Sequence, residues 1–148
     1  MRSGVAHGIA RGWGAACILV LPTLLLGSCM TPPAETGATA DFFAVIDATQ
    51  DLAGGQWDVQ DDPTSRGCVL PDGTEGETFS ALRISAMPAV VLNSVAAAWE
   101  DYGYSVDRES IGPVNQLVAT NSTSEVLIFR VSDRAMTLQG ESECQPSE

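Results

Sequence analysis

Apolar and polar positions recur along this chain with two different periods, and the switches between them mark its elements. In "DFFAVIDATQDLAGG", Phe42, Val45, Ile46, Thr49 and Leu52 share one helical face, with Asp47 and Asp51 on the solvent side. Thr39 or Asp41 can cap that helix, and Gly54-Gly55 can end it. "QWDVQDDPTSRGCVLPDGTEG" follows as a long irregular stretch, anchored by Trp57 and Cys68 and turning at Pro71-Asp72-Gly73. The period then shortens to two. In "ETFSALRISAM", Leu82, Ile84 and Ala86 face one way and Ala81, Arg83 and Ser85 the other, as in a strand. Pro88 suits the first turn of a second helix, "PAVVLNSVAAAWEDYG". Its apolar stripe is Val91, Leu92, Val95, Trp99 and Tyr102, with Asn93, Glu100 and Asp101 outside and Gly103 as the stop. "YSVDRES", "NQLVAT", "EVLIFRV" and "AMTLQGESEC" complete the set of strands, and the short turns "NSTS" and "SDR" join them as an antiparallel meander. The pattern predicts one α+β domain over residues 41–148: an antiparallel four- to five-stranded sheet with two helices packed on one face.

Residues 1–28 have a different character. Arg2 and Arg11 form a basic leader before the apolar run "AACILVLPTLLLG", the pattern of an export signal. Ala15 to Gly27 falls short of the roughly 20 apolar residues that cross a bilayer, and it contains Pro22, so a permanent span is disfavoured. The run ends in "LGSC", Leu26 to Cys29, which resembles the lipobox of bacterial lipoproteins. That resemblance implies cleavage before Cys29 and a diacylglyceryl group on its sulfur. Two acyl chains, at about 0.8 kcal/mol per buried methylene, would give a stable anchor. The stretch after it, "MTPPAETGATA", has two prolines and little apolar bulk. Residues 29–40 therefore read as a lipidated cysteine and a flexible linker reaching up to roughly 35 Å.

This reading assigns the remaining cysteines. Cys17 leaves with the signal and Cys29 carries lipid, so Cys68 and Cys144 remain as one pair in an exported domain, where disulfides persist. Metal ligation by two thiols without histidine or CxxC spacing is the weaker alternative, and so is a redox pair so far apart in sequence.

Charge narrows the function classes. The formal net charge is -12, and no lysine occurs. All 19 acidic residues lie beyond Cys29, against five arginines there. Such a surface repels phosphate backbones, which argues against nucleic-acid binding. The single histidine, His7, lies in the signal, so histidine acid–base chemistry is excluded from the mature chain. The absence of lysine excludes Schiff-base chemistry and a Ser–Lys dyad, and no GxSxG elbow exists. No catalytic residue and no cofactor motif stand out. Carboxylates remain: Asp58, Asp61, Asp62, Asp72, Glu75 and Glu77 form the densest group. A glycosidase would need two of them held several ångström apart, one with a raised pKa. Asp58, Asp61, Asp62 and Asp72 also offer oxygens for a low-affinity calcium site, although no EF-hand run occurs. The plainer reading of the group is a solvated acidic loop. Asn121 heads an "NST" glycosylation acceptor, which carries little weight in a bacterial lipoprotein.

The lipobox, "LAGGQW", "SRGCVLPDG", "AAAWEDYGYSV" and "LQGESEC" together resemble small uncharacterised cell-envelope lipoproteins of actinobacteria. The resemblance implies an exported, lipid-anchored chain with one disulfide. The expectation is an envelope protein at the extracytoplasmic face of the membrane, held by lipid on Cys29 and binding or supporting a protein partner without catalysis. The alternative is a carrier of a small ligand or glycan, or a carboxylate-dependent enzyme. An enclosed pocket with converging polar groups would favour the alternative. An exposed apolar patch rimmed by acidic residues would favour the protein partner.

Overall fold

The computed structural model describes residues 37–88 and 91–147, all within one compact unit, Pro33–Glu148. The signal over 1–28, Cys29 and most of the linker lie outside the described residues. In chain order the elements are α1 (Gly37–Ala53), β1 (Asp58–Val59), β2 (Asp62–Val69), β3 (Glu75–Ser85), α2 (Leu92–Asp101), β4 (Ser105–Ile111), β5 (Val114–Thr120), β6 (Val126–Val131), β7 (Met136–Glu141) and β8 (Gln145–Pro146). All strands pair antiparallel in one eight-stranded sheet of order β1-β3-β7-β6-β5-β4, with β2 and β8 also on β3. The class is α+β, as the hydrophobic pattern predicts. The strand count exceeds the four to five expected, because β1, β2 and β8 show no alternation. Main-chain pairing with the long strand β3, rather than burial of a side-chain face, defines them.

α1 starts at Gly37, inside the stretch read as linker. Its buried stripe is Thr39, Phe42, Ile46, Thr49 and Ala53. Thr39 extends the stripe one turn toward the N-terminus and accepts a hydrogen bond from the Gln145 side chain, so small residues that look linker-like are helical. At the other end Leu52 points outward, 42 % exposed. α2 starts at Leu92 rather than Pro88, with Val91 at its N-cap. It closes through Gly103, whose φ of 91° lets Tyr104 N–H reach the Trp99 carbonyl at 3.0 Å.

Both helices cover the face that carries Ala81, Leu117, Ala119, Leu127, Phe129, Met136 and Leu138. Gly140 shares that face, and a Cβ there would stand 2.8 Å from Phe42 Cε2 and 3.0 Å from Leu127 Cδ2. Its bare backbone is the floor on which the Phe42 ring rests. Trp99 is fully buried, and its indole N–H donates to Thr49 Oγ1 at 2.9 Å. Thr49 in turn donates to the Val45 carbonyl at 2.7 Å, so a two-bond chain ties α2 to α1 without an orphaned polar atom.

β3 turns its less apolar side to the helices. Alternation is present, yet Arg83 and Ser85 lie under the helices and Leu82 and Ile84 on the other face. Arg83 is 5 % exposed: its Nε donates to Gln50 Oε1 at 2.9 Å and its Nη2 stands 3.6 Å from Asp47 Oδ1. Its Nη1 makes a close ionic contact with Asp61 Oδ1 rather than a hydrogen bond of ordinary geometry. Burial pulls the guanidinium pKa down while Asp47 pulls it up. The Cys68–Cys144 disulfide, with Cα atoms 6.0 Å apart, ties β2 to the segment before β8. It passes close over Gly76, where a Cβ would lie 2.9 Å from Cys144 Sγ.

Candidate functional site

The acidic residues singled out in the sequence are engaged one by one rather than brought together. Asp61 pairs with Arg83 and accepts from Leu82 N–H at 2.9 Å. Asp58 accepts from Gln60 Nε2 at 2.8 Å. Asp62 and Asp72 each fold back on a threonine two residues on, accepting from the backbone N–H at 3.0 Å and from its hydroxyl. Those bonds from Thr64 and Thr74 hold both carboxyls below the usual range. Glu75 and Glu77 sit in β3 opposite Val69 and Gly67. Among the described residues no group of three His, Cys, Asp or Glu stands close enough to hold a metal ion. Trp57 is half-buried, with its indole N–H on the Gly54 carbonyl at 2.9 Å.

Two surfaces do bring side chains together. The first is the sheet face opposite the helices, which no described helix covers. Strand register sets Leu82, Gln139, Ile128, Val118 and Asp107 in one row across it, with Ile84 and Val126 in the rows beside. Leu82, Ile84, Val118, Val126 and Ile128 are all half-buried. Arg130 lies flat on this face, donating through Nε to Gln116 Oε1 at 2.9 Å and through Nη1 to Gln139 Oε1. Gln116 Nε2 donates to Glu109 Oε2 at 2.6 Å, which fixes the network at the β4 edge. Asp58, Asp107, Glu109 and Glu141 stand exposed around it. The result is an apolar patch with an acidic rim and one arginine already committed to its neighbours.

The second surface is a half-open cleft of about 340 Å³ between α1, the end of α2 and the β5–β6 turn. Its floor is Glu125, 6 % exposed, whose Oε1 accepts a short hydrogen bond from the Tyr104 hydroxyl. Burial pushes the Glu125 carboxyl up, Tyr104 opposes that, and the charge of Glu143 and Asp41 adds to it. Burial, with the Glu125 bond and charge, pushes the Tyr104 phenol well above its ordinary value. Asn121 builds the turn: its Oδ1 accepts from Thr123 N–H and Glu125 N–H, both at 3.0 Å, and Ser124 takes a φ of 68°. The residue marked as a glycosylation acceptor is thus the brace that aims Glu125. The sequence held one unused signal for this site. Glu125 has the same parity as Leu127 and Phe129, a carboxyl on the core side of its strand.

A solved structure shares this fold. It is a DUF4853 family protein from Actinomyces odontolyticus, which superposes with a TM-score of 0.57 at 15 % identity over 73 % of this chain. This chain spans 64 % of the DUF4853 protein's length. At that identity the likeness is one of fold alone. No protein-family model matches the chain, and no curated protein matches it.

Proposed function

We propose that this is a lipid-anchored envelope protein of the extracytoplasmic face, which docks a protein partner on its open sheet face and catalyses no reaction on it. The observation that carries the reading is the acidic-rimmed apolar patch of Leu82, Ile84, Val118, Val126 and Ile128. Such a face gains by removal from water, and its rim selects by charge. The complementary partner is a protein surface with an apolar centre bordered by lysine and arginine. The lipobox at Cys29, at the end of a short apolar run that contains Pro22, supports the address.

Photo-crosslinking from position 118, the cross-strand neighbour of Ile128 on the same face, tests the docking face in intact cells. The expected result is a discrete protein adduct that weakens at high salt and disappears in an Ile128→Asp variant of unchanged circular dichroism. No adduct, or one that survives Ile128→Asp, would sink the docking face. A Cys29→Ser variant tests the address separately: it should lose radiolabelled acyl incorporation and leave the membrane fraction, with the domain still folded.

A further inference from the structure

Both tyrosines of the chain, Tyr102 and Tyr104, line the cleft over Glu125. Tyr102 presents its ring to solvent, 54 % exposed, and α1 supplies an apolar wall through Ala44 and Val45. Glu125 Oε1 is occupied by Tyr104, but among the described residues Oε2 accepts only from Asn121 Nδ2 at 3.4 Å, beyond the ordinary hydrogen-bond range. A buried carboxyl oxygen facing a cleft therefore retains accepting capacity.

Among the described residues, none supplies a cation here. Arg66 is bonded to Ser80, Arg83 to Gln50 and its aspartates, Arg108 to Asn93, Arg130 to Gln116 and Gln139, and Arg134 stands beside Asp133. None of them lines the cleft, whereas Asp41 does, and Glu143 adds its field from the segment before β8. An anionic ligand would be repelled. A metal ion lacks its ligand set among the described residues. An aromatic face, an aliphatic wall and a carboxyl pair instead match an organic cation.

We propose that this cleft binds an organic monocation, an ammonium or guanidinium head, with its charge on Glu125 Oε2 and Asp41 and its carbon part against Val45 and the Tyr102 ring. The volume suits a group the size of one basic side chain. This site lies on the helix side of the sheet and stands whether or not the open face docks a partner. Binding is linked to protons. Tyr104, Asn121, Asp41 and Glu143 surround Glu125, and all but Tyr104 and Asn121 carry negative charge, so a proton held there competes with the cation. Affinity therefore rises with pH through the titration of Glu125.

The test is a titration of the isotope-labelled full-length protein in non-ionic detergent, followed by amide NMR. The probes are n-butylammonium, n-butylguanidinium and the blocked tripeptide acetyl-Gly-Arg-Gly-amide, with n-butanol as the neutral control. Saturable shifts are expected at residues 121–125 and at Tyr102, with binding weaker near pH 5 than near pH 8. Glu125→Gln should weaken binding by about tenfold. Tyr102→Ala, at an exposed position where folding is not at stake, should weaken it about threefold. A stronger response to the tripeptide assigns the cation to a protein's side chain, and a stronger response to the free cations assigns it to a small amine. Equal shifts with n-butanol, no saturation, pH-independent binding, or wild-type affinity in both variants would overturn the proposal.

Discussion

Thr49 shows how one hydroxyl can hold two helices: it accepts from Trp99 and donates to Val45 within a buried layer. Replacing it with valine keeps shape and leaves the indole N–H unpaired. Thr49→Val should therefore cost about 1–3 kcal/mol in urea unfolding, while Thr49→Ser should recover most of it. Glu125 gives a second expectation at this scale. Its folded pKa is raised, so its protonation favours the fold fully below the unfolded value of about 4.3, and that contribution is lost as pH rises through the folded pKa. Melting curves should show Glu125→Gln gaining on the wild type as pH rises from about 4 to about 8. A constant difference across that range would contradict the assignment. Of these residues, the sequence marked Trp99 as core through its helical stripe. The parity of Glu125 with Leu127 and Phe129 hinted at a core-side carboxyl, but whether Arg83 and Glu125 would be buried is decided by partners distant in the chain: Asp61, Gln50 and Tyr104.

At the scale of elements, α1 and β7 meet through an absence. Gly140 leaves room for the Phe42 ring, and a methyl group there has nowhere to go without moving Phe42 or Leu127. Gly140→Ala should destabilise by about 1–3 kcal/mol, and combining it with Phe42→Leu should cost less than the sum of the two changes. Strictly additive costs in a double-mutant cycle would refute the contact. Elements with a strong period were legible from the sequence: both helices, β3, and the meander from β4 to β7. β1, β2 and β8 were not, since each borrows its conformation from β3. Period-two alternation in β3 was also legible, but not which side the helices would choose. The helices cover Ala81, Arg83 and Ser85, and the more apolar pair Leu82 and Ile84 is left to form the open patch.

For the molecule as a whole, the decisive covalent feature is the Cys68–Cys144 disulfide across a separation of 76 residues. The sequence anticipated it by counting cysteines, because the expected export and lipidation would leave that pair alone. The Cys68→Ser, Cys144→Ser double variant should lose about 4 kcal/mol in a chain-entropy account, read as a lower urea midpoint. An unchanged midpoint would show that the bond contributes nothing to the folded state. Layering into one sheet and two helices followed from the hydrophobic pattern, whereas the two candidate surfaces depended on register and packing that no local pattern encodes. A further consequence follows from the hydrogen bond between Gln145 and Thr39. It sets the first turn of the domain beside its last strand, so the polypeptide enters and leaves at one pole, like both cords of a purse. A reporter protein fused after Glu148 would emerge beside the first turn of α1, the end that the proposed lipid anchor at Cys29 would hold. Such a fusion would sit at the domain's attachment end and leave the row from Leu82 to Val118 clear for a visitor.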